Sequence, residues 1–180
     1  SIDQNGIKDK TLVIFTADHG DMLFSQNRGW KGKPWRESAI VPFIARMPGQ
    51  IPEGEESDKL LSLVDIAPTL LGFAGISTSK EMQGKDMSEM MKGDYSYTQD
   101  SVFLNYPVSP KKFSFREWRG LVTEKFTYAR FRDKPWVLYD DENDPYQLNN
   151  LIDNPEYRKL QEDFDQQLYR QLEELNDPFE

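Results

Sequence analysis

Two short apolar runs, separated by a long polar loop, set the pattern of the N-terminal part of the chain. The first run is Leu12–Phe15 and the second is Val41–Ala45. A continuous apolar run of this length is typical of a strand that is covered on both faces. We therefore predict two interior strands, joined by a loop over residues 16–40.

A helix is predicted after the second strand. Asp65 can cap a helix that runs to about Phe73, and Pro68 is tolerated in a first turn. Four methionines follow at loose helical spacing, which we interpret as core residues: Met82, Met87, Met90 and Met91.

The second half of the chain predicts a small sheet and a long helix. Residues 101–105, 119–128 and 136–139 are strand candidates, and the last two are rich in aromatic and β-branched residues, which favours an antiparallel meander. Pro155 opens an amphipathic helix whose apolar residues recur every three or four positions: Tyr157, Leu160, Phe164, Leu168, Leu172 and Leu175. We expect this helix to cover the sheet. The acidic run 140–144 lacks the spacing of a calcium loop, so we interpret it as a solvated turn.

Polar side chains are concentrated directly after the first strand, where ligand sites lie in open parallel sheets. Asp18 and His19 are candidate metal ligands, because a carboxylate suits a hard cation and an imidazole widens the choice. Lys31 and Lys33, later in the loop, would offer positive charge to an anionic substrate. Each residue also has an ordinary explanation: a turn-forming aspartate, a structural histidine, or a solvated lysine beside Pro34. The residue types alone leave both explanations open.

Charge and composition narrow the class of partner. The net charge is −9, from 31 acidic and 22 basic residues. This balance argues against nucleic acid as a partner, because phosphate binding requires basic surface. No apolar run is long enough to span a membrane. The sequence contains no cysteine, so it holds neither a disulfide framework nor a thiolate nucleophile.

The loop and the strand after it resemble the sulfatase family of the alkaline-phosphatase-like superfamily. The matching positions are Thr16–Leu23, Lys31, Pro34–Ser38 and Val41–Ile44. Later segments resemble the helix, the turn and the C-terminal signature of the same family: Leu63–Leu71, Gln83–Asp86, Leu138–Asp140, Asn143–Pro145 and Asn149–Leu151. The resemblance therefore extends over nearly the whole chain.

The resemblance implies a calcium-dependent sulfatase site, of which this chain carries a part. Asp18 matches a metal-binding carboxylate, and His19 matches the neighbour that coordinates the metal or contacts the sulfate. Lys31 matches the sulfate-contacting lysine, with Lys33 as the alternative, and Gln26 stands where a substrate-facing histidine is usual. The family makes a formylglycine nucleophile in a Cys/Ser-x-Pro-x-Arg motif, which this sequence lacks. We therefore expect the chain to be inactive alone.

These features predict an α/β fold: the C-terminal part of an alkaline-phosphatase-like mixed sheet with flanking helices, then a small antiparallel sheet packed on a long C-terminal helix. Residues 1–95 would belong to the core and residues 96–180 to an α+β subdomain. We expect the chain to be a C-terminal piece of a longer protein, with the N-terminal half of that protein as its partner. The resemblance suggests a periplasmic, secreted or lysosomal location.

Three functions agree with these expectations. In the first, the parent protein hydrolyses a sulfate ester of a small molecule or glycan. In the second, it is a phosphoric or phosphonic ester hydrolase of the same superfamily. In the third, the chain is a non-catalytic binding module. The motif over residues 16–44 favours the first function.

Overall fold

The computed structural model describes residues 2–107 and 116–179. By its contacts the chain divides into two compact units, Ser1–Asp18 with Val41–Asp100, and His19–Ile40 with Ser101–Glu180. The loop over residues 19–40 thus belongs to the same unit as the C-terminal part of the chain. The domain boundary between residues 95 and 96 stays a prediction.

The first unit contains a pair of antiparallel strands. Strand β1 (Val13–Thr16) pairs with β2 (Phe43–Arg46), and Phe15 lies directly opposite Ile44. Both of these side chains are more than 60% exposed, at 62% and 63%. Because side chains alternate between the faces of a strand, only one face of this pair packs within the described residues. Within the described residues the two strands are therefore not covered on both faces, and they pair with each other in antiparallel orientation.

The predicted helix of the first unit is confirmed as α2 (Ile66–Phe73). It follows a 3-10 turn in which Asp65 is 2% exposed and accepts hydrogen bonds from the backbone of Ser62 and Lys85, each at 2.8 Å. The carboxylate does not cap α2 directly; it closes a capping box with Ser62 and ties the helix start to a later loop. A short helix, α3 (Ser88–Met91), follows. Met87 and Met90 are buried as predicted, whereas Met82 is exposed.

The second unit contains the predicted antiparallel meander. Its four strands are β3 (Val102–Tyr106), β4 (Trp118–Val122), β5 (Phe126–Phe131) and β6 (Pro135–Asp140), and they pair in chain order. A 3-10 turn starts at Pro155 and leads into α4 (Arg158–Leu175). The side chain of Asn154 caps this start by accepting the N–H of Glu156 at 3.0 Å. The predicted long helix is therefore confirmed.

Both faces of this sheet are covered. On one face α4 packs against the sheet in a core that includes Leu121, Tyr128, Leu138, Phe164, Leu168 and Leu172. On the other face Met22 and Trp35, from the loop over residues 19–40, pack against Trp118, Ala129, Val137 and Tyr139. Apolar burial thus fixes the loop on the sheet. In the described part of the chain, no helix has the length and apolar character needed to cross a membrane.

Candidate functional site

His19 and Lys31 are in direct contact within the second unit. The Nζ of Lys31 lies 2.5 Å from Nε2 of His19, and Nδ1 of His19 lies 2.8 Å from the carbonyl oxygen of Gly20. A carbonyl oxygen can only accept a hydrogen bond, so Nδ1 carries the proton. Nε2 then offers its lone pair, which accepts a hydrogen bond from the Lys31 ammonium. The structure thus pairs two of the residues that the sequence selected.

Gly20 fixes the turn that presents His19. Its N–H donates to the carbonyl oxygen of Ser38 at 3.0 Å. A Cβ at this position would collide with the backbone carbonyl oxygen of Glu37. The close approach of two backbone segments therefore requires glycine here, and it ties the His19 turn to α1 (Arg36–Ala39).

The loop between His19 and Lys31 has an unusual backbone. Leu23, Phe24, Gln26, Asn27 and Trp30 all have positive φ angles, between 44° and 71°. Left-handed backbone is unfavourable for residues other than glycine, and strain of this kind is frequent at functional sites. The loop is closed by the N–H of Met22, which donates to the carbonyl oxygen of Trp30 at 3.0 Å.

Several side chains of this loop are exposed although they are apolar. Leu23, Phe24 and Trp30 have exposed fractions of 81%, 82% and 79%. Met22, in contrast, is fully buried. The loop therefore holds itself in place by one apolar side chain and leaves three others available to a ligand or partner.

The sheet holds the segment after Lys31 through two indole N–H groups. Nε1 of Trp118 donates to the carbonyl oxygen of Gly32 at 3.1 Å. Nε1 of Trp35 donates to the phenol oxygen of Tyr139, also at 3.1 Å. Tyr139 belongs to Leu138–Asp140, part of the C-terminal family signature, so this signature directly supports the loop over residues 19–40. The signature is visible in the sequence, whereas its contact with the loop is visible only in the structure.

Lys31 and Lys33 lie in different surroundings. Lys31 is exposed, whereas Lys33 is only 8% exposed and is not the solvated loop charge that its position beside proline suggests. Burial, followed by the charge of Arg28, lowers the pKa of Lys33. A cation for an exposed anionic substrate is therefore better supplied by Lys31.

The amide nitrogen of Gln26 is used within the protein. Its Nε2 donates to the carbonyl oxygens of Tyr146 and Gln147, at 2.9 and 3.0 Å. These two bonds occupy both N–H groups of the amide. The predicted contact of Gln26 with a substrate stays a prediction, and the carbonyl oxygen of the same amide would have to make it.

Asp18 follows β1 at the end of a segment of the first unit and is exposed. Two residues earlier, the buried hydroxyl oxygen of Thr16 has no hydrogen-bond partner among the described residues. An unsatisfied buried hydroxyl at a strand end is consistent with a nearby ligand. Within residues 2–107 and 116–179, no three acidic, histidine or cysteine side chains are grouped so that they could hold a metal ion.

The comparison with known protein families decides what this chain is. The family described as N-sulphoglucosamine sulphohydrolase, C-terminal, matches residues 27–174. The chain belongs to this sulfatase family. The resemblance found in the sequence is thereby confirmed, and so is the expected fold class.

Individual sulfatases match the chain over nearly all its length. An ulvan-active sulfatase of Formosa agariphila is 33% identical over 99% of this chain and 36% of its own length. An endo-4-O-sulfatase of Bacteroides thetaiotaomicron is 33% identical over 99% of this chain and 38% of its own length. The chain therefore spans little more than a third of the length of these relatives.

Solved structures of sulfatases have the same fold. One protein, in complex with its substrate D-glucosamine-2-N,6-O-disulfate, matches with a TM-score of 0.89 and 27% identity. The match covers 99% of this chain and 38% of that protein. Fold and family thus agree.

Proposed function

We propose that the protein containing this chain hydrolyses a sulfate ester of a saccharide. The observation that carries the proposal is the contact between His19 and Lys31, at 2.5 Å, on a loop with the sulfatase pattern. An ammonium group held beside the reacting centre stabilises the negative charge that develops as an ester bond to sulfate breaks. In this proposal Lys31 contacts the sulfate oxygens, and His19 directs its ammonium group.

Asp18 is the residue of this chain that we assign to a calcium ion, and His19 is the alternative ligand that the family resemblance implies. The carboxylate of Asp18 has the hard oxygen ligands that calcium prefers, and a bound calcium ion would supply positive charge to a sulfate oxygen. Calcium takes about six to eight ligands, so two neighbouring residues provide only part of such a site. His19 could ligate a metal through Nε2 only when Lys31 leaves it, because both interactions use the same lone pair.

Two observations favour a saccharide over other sulfate esters. Phe24 and Trp30 are both about four-fifths exposed, at 82% and 79%, and Trp30 directly precedes Lys31. Exposed aromatic rings on the loop that carries a cation suit a sugar sulfate, whose ring has apolar faces and whose ester group is anionic. In addition, one structurally similar protein was solved with a sulfated glucosamine as its substrate.

The experiment measures product release by the full-length protein. We expect inorganic sulfate from sulfated glucosamine, at a kcat/KM well above that for a phosphate monoester or a phosphonate monoester. A preference for phosphate or phosphonate would favour the second function, an ester hydrolase of the same superfamily. No hydrolysis of any ester by folded protein that still binds the sulfated sugar would favour the non-catalytic module.

A further inference from the structure

Gln147 is a buried polar residue between two exposed apolar ones. It is 1% exposed, whereas Tyr146 and Leu148 are 74% and 71% exposed. Its φ angle is +52°, in the left-handed region. Burying an amide and adopting this backbone both cost free energy unless specific bonds compensate. The hydrogen bonds of Gln147 therefore have to compensate for these two costs.

The hydrogen bonds of Gln147 hold both ends of one segment of the loop over residues 19–40. The side-chain Nε2 of Gln26 donates to the backbone carbonyl oxygen of Gln147 at 3.0 Å. The backbone N–H of Arg36 donates to the side-chain Oε1 of Gln147 at 2.9 Å. Lys31 lies midway between Gln26 and Arg36 in the sequence, five residues from each of them. We call residues 26–36 the Lys31 segment.

Asp141 sets the orientation of the Gln147 amide. Its Oδ1 accepts the amide Nε2 of Gln147 at 2.7 Å, and its Oδ2 accepts the hydroxyl of Thr127 at 2.6 Å. A carboxylate only accepts, so the NH₂ group of Gln147 must face Asp141. The amide oxygen is then directed at Arg36. Asp141 is 7% exposed, so the prediction of a solvated turn is wrong at this residue.

We propose that Gln147 is a positioning residue that fixes Lys31 by binding the two ends of its segment. The inference rests on the proposed function only in giving Lys31 a role at the sulfate. Gln147 has no contact with the reacting group in this proposal, and it acts through the side chain of Gln26 and the backbone N–H of Arg36. Since a misplacement of about 1 Å can lower a rate about 10²-fold, loss of this support should reduce turnover more than substrate binding.

The chain offers a matched control in its other unit. Gln99 is also buried, at 8% exposed, and its Nε2 donates to Oδ2 of Asp65 at 2.8 Å and to the carbonyl oxygen of Leu60 at 3.2 Å. Gln147→Leu and Gln99→Leu thus each remove a buried amide that is bound to a buried aspartate. Only the first should affect the Lys31 segment.

The first test is hydrogen–deuterium exchange in the full-length protein, which needs no activity. In Gln147→Leu we expect exchange of peptides within residues 26–36 to become about tenfold faster, as for loss of one buried hydrogen bond. Gln99→Leu should leave these peptides unchanged. If folded Gln147→Leu exchanges these peptides no faster than the wild-type protein does, the proposal is overturned. This holds whether or not the wild-type protein releases sulfate. If the wild-type protein releases none, the proposed function fails separately.

The second test separates positioning from general stability. We expect Gln147→Leu to lower kcat about 10- to 100-fold, with KM changed less than about twofold. Introduced into a Lys31→Ala background, it should have no further effect on kcat, because the ammonium group that Gln147 positions is then absent. If Gln147→Leu lowers kcat in the Lys31→Ala background by the same factor as in the wild-type protein, the proposal is overturned.

A conservative variant covers the case in which Gln147→Leu does not fold. Gln147→Glu keeps an acceptor for the N–H of Arg36 but places a carboxyl group against Asp141, whose charged neighbour is the guanidinium of Arg36 at 4.0 Å. When both carboxyl groups are ionised they repel each other, which should displace residue 147 from the Lys31 segment. Relative to wild type at each pH, exchange of the Lys31 segment should therefore increase as the pH rises. A ratio to wild type that stays near one at every pH would contradict the proposal.

Discussion

Nε2 of His19 accepts a hydrogen bond from Nζ of Lys31 over 2.5 Å, while Nδ1 donates to the carbonyl oxygen of Gly20 over 2.8 Å. One imidazole thus connects the cation of the site to the turn that follows β1. The second bond determines which ring nitrogen has a lone pair, and the first bond uses that lone pair. Lys31 therefore has a fixed partner within this chain.

Asp18→Ala should reduce the calcium content of the full-length protein and its sulfate release. The substitution removes both a charge and an oxygen ligand from the proposed metal site. Asp21→Ala is a suitable control, since Asp21 is also an exposed carboxylate and accepts the N–H of Leu23 at 2.8 Å. Elemental analysis with a turnover assay measures both effects. Equal calcium content in the two variants and wild type would contradict the assignment.

Gly20→Ala should displace the turn that carries His19. The added Cβ meets the backbone oxygen of Glu37, which cannot move aside as a flexible side chain could. Overpacking of this kind costs about 1–3 kcal/mol of stability, and we expect sulfate release to fall together with it. Gly6→Ala is the control. A Cβ at Gly6 would have no atom within 4 Å, and the φ of Gly6 is +67°, so this substitution measures backbone strain without a steric collision. Denaturant unfolding should show the larger loss for Gly20→Ala.

Phe164→Ala should destabilise the C-terminal unit. Phe164 is 5% exposed and stacks on Tyr128, with ring centroids 5.7 Å apart and an angle of 11°. Truncating a buried phenylalanine costs about 3–5 kcal/mol. Phe24→Ala removes the same atoms from an exposed ring and should change stability by less than about 0.5 kcal/mol. Similar unfolding midpoints for the two variants would show that the packing of α4 on the sheet is misassigned.

Asp141→Asn should change how stability depends on pH. Burial raises the pKa of Asp141, although hydrogen bonds from Thr127 and Gln147 and the charge of Arg36 act in the opposite direction. Because the pKa is raised in the folded state, protonated Asp141 makes its full contribution to the free energy of unfolding at pH values below the ordinary carboxyl range. That contribution is lost as the pH rises through the folded-state pKa. The stability of wild type relative to Asp141→Asn should therefore fall as the pH rises in the acidic range. Urea unfolding of both proteins measures this difference, and an increase with pH would contradict the raised pKa.

The sequence predicted the elements whose signals are local. Pro155 and the three- and four-residue spacing to Leu172 define α4, because a helix start and an apolar face both depend on neighbours in the chain. Trp136–Tyr139 similarly marked β6. The family motif selected His19 and Lys31, and the structure places these two side chains in contact.

Other features depend on contacts between distant residues. Leu12–Phe15 is apolar throughout, but successive side chains of a strand point to opposite faces, and Phe15 lies on a face that the described residues leave exposed. Asp141 belongs to a run of acidic residues, and its burial follows from Thr127 and Gln147, which no local pattern connects to it. Gln147 lies 111 residues from the backbone N–H that it accepts. Long-range hydrogen bonds of this kind have no signature in a single sequence.

The most direct test of the account is the release of inorganic sulfate from sulfated glucosamine by the full-length protein and its Lys31→Ala and Lys33→Ala variants. Lys31 is exposed and bonded to His19, so its removal should lower kcat about 10²- to 10³-fold. Lys33 is buried, so its removal should mainly lower stability. Sulfate release that survives Lys31→Ala and is abolished in folded Lys33→Ala would contradict the central role of the His19–Lys31 pair.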